Sequence, residues 1–222
     1  MTAYQGYSFS GYIQGIGYLL FTWMCFYRFH FRSSYVKILG IYAGGCLFFN
    51  ILQFMFLIVP GLKSGYAINI VGNVFILFET VTLLVFYFVV LQNPIDRKII
   101  KILSFVYVIF YGAVFFFTPF TFSLIRSGRE IMMMTASLLY FYHLLKRSPS
   151  ENLFQMPMFW IASAIFFHFS GTFILSLSID FLVKFIREDV TAYLAFRNFF
   201  RFFFVLILFL VTWFEYRLSI KT

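Results

Sequence analysis

The sequence predicts an all-helical fold: a polytopic membrane protein in which residues 1–222 form one domain, a bundle of seven transmembrane helices. Hydrophobic residues make up 62% of the chain and charged residues only 11%, whereas soluble domains carry about 25% charged residues. Several apolar stretches reach the roughly 20 residues that a helix needs to cross a bilayer. These stretches alternate with clusters of Pro, Gly, Asn and Ser, which end helices and form short connections.

The predicted spans account for most of the chain, and helix-breaking residues separate them. Pro60-Gly61 follows the second span, and Asn93-Pro94 follows the third. Pro157 suits the first turn of the sixth helix, because the N–H that proline lacks would have no helical partner there. The seven spans are predicted at residues 8–27, 36–59, 67–91, 99–120, 124–145, 156–182 and 192–216.

Lys and Arg residues are unevenly distributed between the two sides of the predicted bundle. Ten of the 17 lie near the connections after spans one, three and five or in the tail, and seven lie on the other side. Because short cytoplasmic loops are enriched in Lys and Arg, we predict an outside N-terminus and a cytoplasmic C-terminus in a bacterial inner membrane. The first 20 residues contain no Lys or Arg, so no cleaved signal peptide is predicted.

The formal charge of +9 would favour a nucleic-acid partner in a soluble protein. Here no basic tail or nucleic-acid-binding motif accompanies it. We therefore assign the charge to cytoplasmic loops that meet anionic headgroups, and we predict the lipid bilayer rather than nucleic acid as a partner.

Glu79 is the only charged residue in the third span, 67–91. A carboxylate near the middle of a bilayer costs at least ~2.5 kcal/mol. We therefore predict that Glu79 points into the bundle and meets a basic or amide group from spans two, five or seven. At 100° per residue, Asn69, Asn73 and Thr80 share its helix face.

Further polar residues fall in the outer half of the predicted bundle. On span five, Arg126 and Glu130 are spaced i,i+4 and can pair. Arginines outnumber carboxylates in this region, which predicts an outward pocket for a small anionic molecule with a carboxylate or phosphate group. The candidate ligand-binding residues are Glu79, Asn69, Asn73, Arg126, Glu130, His168, Arg197 and Arg201.

Structural interpretations of the same residues stay open. The arginines at the starts of spans five and seven can extend to the outer headgroups. Glu79 can be a structural carboxylate bound to Arg201 or to an asparagine amide, and His168 can be a buried histidine with no ligand. Asn69 and Asn73 can form hydrogen bonds between helices.

No cofactor, metal or catalytic site is predicted. The three histidines, His30, His143 and His168, lie in different parts of the chain and at different depths, and no two have the spacing of a ligand pair. No nucleophile–base motif and no glycine-rich phosphate loop occurs. An intramembrane transferase with Glu79 or His168 as its base is the remaining enzyme hypothesis.

Two segments of the sixth span resemble a known pattern. The segments Met156–Ile161 (MPMFWI) and Phe166–Phe173 (FFHFSGTF) are similar to the Pro-x-Phe-Trp-Ile…Ser-Gly pattern of seven-helix membrane proteins of Bacteroidota. Some of those proteins resemble the membrane sensor part of histidine kinases. The resemblance implies a sensory module. The chain ends at Thr222 without a kinase domain, so a signal is expected to pass to a partner protein.

The sequence therefore favours a receptor-like or sensory membrane module with a membrane or cytoplasmic protein partner. An accessory subunit of a larger inner-membrane complex is the first alternative. A carrier or channel for a small anionic solute is the second.

The predicted orientation can be tested by labelling introduced cysteines with a membrane-impermeant maleimide. A cysteine at Thr2 should be labelled in intact spheroplasts, because the N-terminus is predicted to lie outside. A cysteine at Ser150 should be labelled only after the membrane is opened. The unmodified chain, which keeps Cys25 and Cys46, is the control, and the opposite labelling pattern would refute the orientation.

Overall fold

A computed structural model describes most of the chain. Its described backbone covers residues 3–27, 33–58, 65–117, 122–147, 153–185 and 190–221. Side chains are described over residues 14–27, 33–56, 70–114, 124–146, 153–177 and 196–215.

Within these residues the fold is all-helical, as the sequence predicts, and it contains no strand. A short 3₁₀ helix, Leu153–Gln155, precedes the sixth α-helix. The α-helices are α1 (Ala3–Phe26), α2 (Ser34–Ile58), α3 (Gly65–Val90), α4 (Pro94–Phe117), α5 (Phe122–Arg147), α6 (Pro157–Phe185) and α7 (Val190–Lys221).

The start of α4 shows how a local cap extends a helix beyond its apolar stretch. The side-chain oxygen of Asn93 accepts a hydrogen bond from the backbone N–H of Ile95 at 3.1 Å. The backbone carbonyl of Asn93 accepts from the N–H of Arg97 at 3.1 Å. Asn93 is thus the N-cap and Pro94 the first helical residue. The helix consequently begins before the apolar stretch at residue 99.

Four helices in the described part of the chain are long and apolar enough to cross a membrane. Their qualifying segments are Ser34–Phe56 of α2, Ile70–Val90 of α3, Pro157–Leu177 of α6 and Phe196–Glu215 of α7. Membrane-protein character is thus supported for this chain, while the count of seven spans stays a prediction.

The surface and the core have the polarity expected of a protein surrounded by lipid. Large apolar side chains project outward, and Phe105 is 68% exposed. Fully buried positions include the charged Glu79 and the polar Ser137. In water this arrangement would leave apolar area unburied and charge desolvated. Lipid removes the cost of the exposed apolar area, and polar contacts within the bundle offset the cost of the buried charge.

Helices that follow one another in the chain run in opposite directions. Ser33, just before α2, donates a hydrogen bond to Glu215 near the end of α7 at 2.7 Å. His143 near the end of α5 lies 2.8 Å from Asp96 at the start of α4. The even-numbered helices therefore begin at the end of the bundle where the odd-numbered helices finish.

The helices form a ring with one helix outside it. Each of α1, α2, α3, α5, α6 and α7 packs against the next, and α7 returns to α1. Among the described residues, α4 packs mainly against α3 and α5. The core of the ring is rich in buried aromatic side chains, among them Tyr18, Tyr42, Phe86 and Phe204.

The contact between α1 and α2 depends on a small residue. A Cβ atom added at Gly40 would lie 3.0 Å from the Cβ atom of Cys25. Because a Cβ atom moves only with its backbone, the two helices would have to separate. Gly40 therefore permits the close approach that small residues allow in membrane bundles.

We expect Gly40→Ala to lower the melting temperature, with a loss of about 1–3 kcal/mol for overpacking. Gly112→Ala on α4 is the matched control, because its new Cβ atom would have no neighbour within 4 Å. The control should be neutral or should gain up to ~1 kcal/mol in helix propensity. Thermal unfolding in one detergent compares the variants, and equal melting temperatures would contradict the close packing.

Candidate functional site

A fully buried carboxylate, Glu79 on α3, is the centre of the site. The Tyr42 hydroxyl on α2 donates a hydrogen bond to its Oε1 at 2.9 Å. Arg129 on α5 forms an ion pair with its Oε2. Arg201 on α7 approaches Oε1 through Nη2 at 3.5 Å. The prediction that Glu79 points inward and meets a basic group from span five or seven is confirmed.

Arg129 joins the two buried carboxylates of the cluster. Its Nη1 pairs with Glu79, and its Nη2 lies 3.2 Å from Oε1 of Glu130. Its guanidinium also lies over the ring of Phe169, 5.2 Å from the centroid. The side chain is only 8% exposed. Arg129 therefore holds two negative charges within one planar group.

Glu130 extends the cluster to α6. It is 1% exposed, and the Ser176 hydroxyl donates a hydrogen bond to its Oε1 at 2.9 Å. Its contacts with Arg129 and Ser176 thus connect α5 to α6. The sequence placed Glu130 among the candidate ligand-binding residues and suggested a pair with Arg126; the structure shows its ion pair with Arg129.

Arg129, Tyr42 and Ser176 were not among the predicted site residues. A signal for Arg129 exists in the sequence, because it stands three and four residues before Met132 and Met133. Both methionines are buried, so helical spacing places Arg129 on the core-facing side of α5. Tyr42 and Ser176 have no comparable signal, since aromatic and hydroxyl residues are common throughout the spans.

His168 on α6 stands beside the cluster. Its ring is 4% exposed and stacks on Phe204 of α7, with centroids 4.9 Å apart and planes 10° from parallel. Phe204 in turn meets the edge of Tyr42, with centroids 6.0 Å apart. The rings of His168, Phe204 and Tyr42 thus contact one another in series, and the Tyr42 hydroxyl at the end of the series binds Glu79.

The other predicted residues are distributed toward the end of the bundle where α3, α5 and α7 begin. Asn73, Arg126 and Arg197 are half-buried there. Asn69 belongs to α3, but its side chain lies outside the described residues. Arg201 lies deeper, over the ring of Phe75 at 5.2 Å from the centroid. The structure thus brings together Glu79, Glu130, His168 and Arg201, with Asn73, Arg126 and Arg197 nearer the end.

The charges of the central cluster balance. Glu79 and Glu130 supply two negative charges, and Arg129 and Arg201 supply two positive charges. Burial of unpaired charges would be prohibitive, whereas paired and hydrogen-bonded charges are tolerated. The surplus of arginine that the sequence predicts therefore resides with Arg126 and Arg197, outside this balanced set.

Among the side chains that the structure describes, no three His, Cys, Asp or Glu residues are grouped as metal ligands. The cluster is instead a network of ion pairs and hydrogen bonds that links α2, α3, α5, α6 and α7. Such a network can hold helices in register, and it can respond to an ion that competes for one of its members.

No protein-family model, curated protein or solved structure matches this chain. The resemblance to seven-helix proteins of Bacteroidota therefore stays a prediction. The assignment of the site rests on the geometry of the chain's own residues.

Replacing Glu79 tests the network. Glu79→Leu should lower the free energy of unfolding by roughly 3–5 kcal/mol, because it leaves Arg129 and Arg201 without their shared counter-charge. Glu79→Gln should cost less, since the amide still accepts hydrogen bonds. Thermal or SDS-induced unfolding measures both, and Val81→Leu at an exposed position of α3 is the control.

A double substitution separates loss of the ion pair from loss of packing. Glu79→Leu combined with Arg129→Leu should be less destabilising than the sum of the two single changes, because neither member is left buried alone. Strict additivity would show that Glu79 and Arg129 are not coupled.

Proposed function

We propose that this protein is a receptor-like, sensory module of the bacterial inner membrane. It has seven spans with the N-terminus outside, and its outward pocket binds a small anion through Arg201. Binding changes the buried network and is relayed to a protein partner. The proposal rests on one observation: Glu79 contacts Arg129 more closely than it contacts Arg201.

Arg129 is held more firmly than Arg201. Arg129 contacts both carboxylates and is 8% exposed. Arg201 meets Glu79 across 3.5 Å and is 17% exposed. At 3.5 Å a hydrogen bond is at the limit of useful geometry. An incoming anion would therefore compete for Arg201 at a smaller cost than for Arg129.

The surroundings of Arg201 suit an anion that enters from the outer end. Arg197 precedes it by about one helical turn on α7, and both precede the apolar stretch 202–211 of that helix. The guanidinium lies over Phe75, and its planar group of N–H donors matches a carboxylate or phosphate. Two-point binding of this kind is specific to arginine.

Release of Arg201 from Glu79 would disturb the whole network. Glu79 would then depend on Arg129 and Tyr42 alone, and Arg129 shares its guanidinium with Glu130. Helices α2, α5 and α6 would therefore respond to a ligand on α7. A ligand shifts such an equilibrium only as far as its affinities for the two states differ. The anion would bind more tightly to the state in which Arg201 has left Glu79, and this supplies the difference in affinity.

An accessory subunit of a larger membrane complex is the second candidate. The observation that favours it is α4, which lies outside the ring and exposes a continuous apolar face with Ile102, Phe105 and Ile109. This face is available to another membrane helix.

Thermal-shift titration tests the anion pocket. Phosphate, sulfate, acetate and citrate are added to the purified protein at constant ionic strength. One of them should raise the melting temperature saturably, approaching ~2.7 kcal/mol of stabilisation at 100 times its dissociation constant. Arg201→Lys should weaken that response at least tenfold, because the planar fork is lost. Arg97→Lys, at the opposite end of the bundle, should respond like the unmodified protein.

Equal responses of all three proteins to every anion would overturn the pocket. Proteoliposomes separate a receptor from a carrier, because a receptor binds the radiolabelled anion without accumulating it inside the vesicle. Spin labels at the exposed Leu138 of α5 and Leu210 of α7 report the conformational change. An unchanged distance distribution with saturating anion would contradict a sensory role.

A further inference from the structure

A second polar region lies at the end of the bundle where α3 and α5 finish. A cavity of about 420 Å³ opens there between the end of α3, the start of α4, the end of α5 and the start of α6. Its lining includes Asp96, His143 and Tyr140, together with the amide side chains of Gln92 and Gln155. None of these residues belongs to the Glu79 cluster.

Asp96 is the distinctive group of this cavity. It is 2% exposed, and its Oδ1 lies 2.8 Å from Nε2 of His143. Its Oδ2 is buried and has no hydrogen-bond partner among the described residues. An ionised carboxylate can accept about four hydrogen bonds, so one contact leaves it far from satisfied. A buried acceptor in this state favours a ligand that donates hydrogen bonds.

The charges of the cavity lining indicate the sign of the ligand's charge. Among the lining residues that the structure describes, Asp96 is the one acidic side chain, His143 is the one histidine, and no Lys or Arg is present. Arg97, which follows Asp96 in the chain, is directed elsewhere: its Nε donates to the Leu91 carbonyl at 2.7 Å, and its guanidinium lies 5.5 Å from the Phe88 centroid. The cavity is therefore suited to a cation rather than an anion.

Its size and lining distinguish an organic cation from a metal ion. The volume far exceeds that of a single ion, and the described residues supply no third acidic or histidine ligand. The amide oxygens of Gln92 and Gln155 are hydrogen-bond acceptors, and the Tyr140 ring offers a face of the kind that attracts cations.

We propose that this cavity binds a primary ammonium group, with Asp96 as its counter-ion and the glutamine amides as further acceptors. The three N–H donors of an ammonium group match a carboxylate oxygen and two amide oxygens. A free small amine and the headgroup of an aminophospholipid both carry this group. The site lies at the opposite end of the bundle from Arg201 and does not depend on the anion pocket.

Ethanolamine is the probe for the soluble source. At constant ionic strength it should raise the melting temperature of the detergent-purified protein saturably, and calorimetric titration should give the same dissociation constant. Choline keeps the charge but has no N–H donor, so it should bind at least tenfold more weakly. Equal responses to ethanolamine, choline and KCl, or no response to ethanolamine in detergent or in any lipid, would overturn the proposal.

Two variants assign the binding to Asp96. Asp96→Asn should weaken ethanolamine binding at least tenfold. Glu215→Gln is the matched control, because Glu215 lies at the same end of the bundle, accepts from Ser33 and also has one buried oxygen without a partner. The control should bind ethanolamine like the unmodified protein. Undiminished binding by Asp96→Asn would overturn the assignment.

If Asp96→Asn does not fold, a substitution of the exposed Gln155 tests the site instead. Gln155→Leu removes one lining amide without altering the Asp96–His143 contact, and it should weaken binding several-fold. Unchanged affinity in that variant would contradict the proposed site.

Nanodiscs distinguish the two sources of the ammonium group. If the ligand is a lipid headgroup, phosphatidylethanolamine should stabilise the unmodified protein more than phosphatidylcholine, and Asp96→Asn should abolish the difference. If the ligand is a free amine, ethanolamine should stabilise the protein equally in both lipids. Arg201→Lys should retain either response, which separates this result from the outcome for the anion pocket.

Discussion

A carboxylate that water does not reach must be neutralised by its neighbours, and this requirement organises the bundle around Glu79. Tyr42, Arg129 and Arg201 converge on it from three other helices. Arg129 also contacts Glu130, which extends the network to α6. Apolar contacts alone cannot set helix register so specifically, because lipid tails are as apolar as the side chains they would replace. One buried charge therefore determines how α2, α3, α5, α6 and α7 face each other.

The two proposed binding sites differ in sign and lie at opposite ends of the molecule. Arg201 would recognise an anion near the start of α7, and Asp96 would recognise an ammonium group at the start of α4. Helices α3 and α5 contribute to both regions, since Glu79 and the cavity-lining Val90 belong to α3 while Glu130 and His143 belong to α5. A shift of either helix along its axis would thus change the geometry of both proposed binding sites. Rigid helices with two discrete arrangements are physical carriers of such coupling.

The sequence predicts a structural feature when a single large free-energy cost determines that feature. The inward position of Glu79 follows from the cost of a charge in lipid. The choice of Arg129 over Arg126 depends on the rotation of α5, which the packing of Met132 and Met133 determines. The contact between Asp96 and His143 depends on α4 lying beside α5, outside the ring. Helix order around a bundle is a tertiary property that apolar stretches do not encode.

The separation of the cluster's members along the chain has a consequence for biosynthesis. Glu79 precedes Arg129 by 50 residues and Arg201 by 122 residues. Chains are synthesised from the N-terminus, so α3 emerges while both of its cationic partners are still unmade. Of the groups that contact the carboxylate, the Tyr42 hydroxyl alone is present at that stage. Until α5 is made, the Glu79 carboxyl group of the nascent α3 has no cationic partner. It must therefore be protonated or remain at the edge of the insertion machinery. Ring closure comes later still, because the contact between α1 and α7 requires α7 to be made.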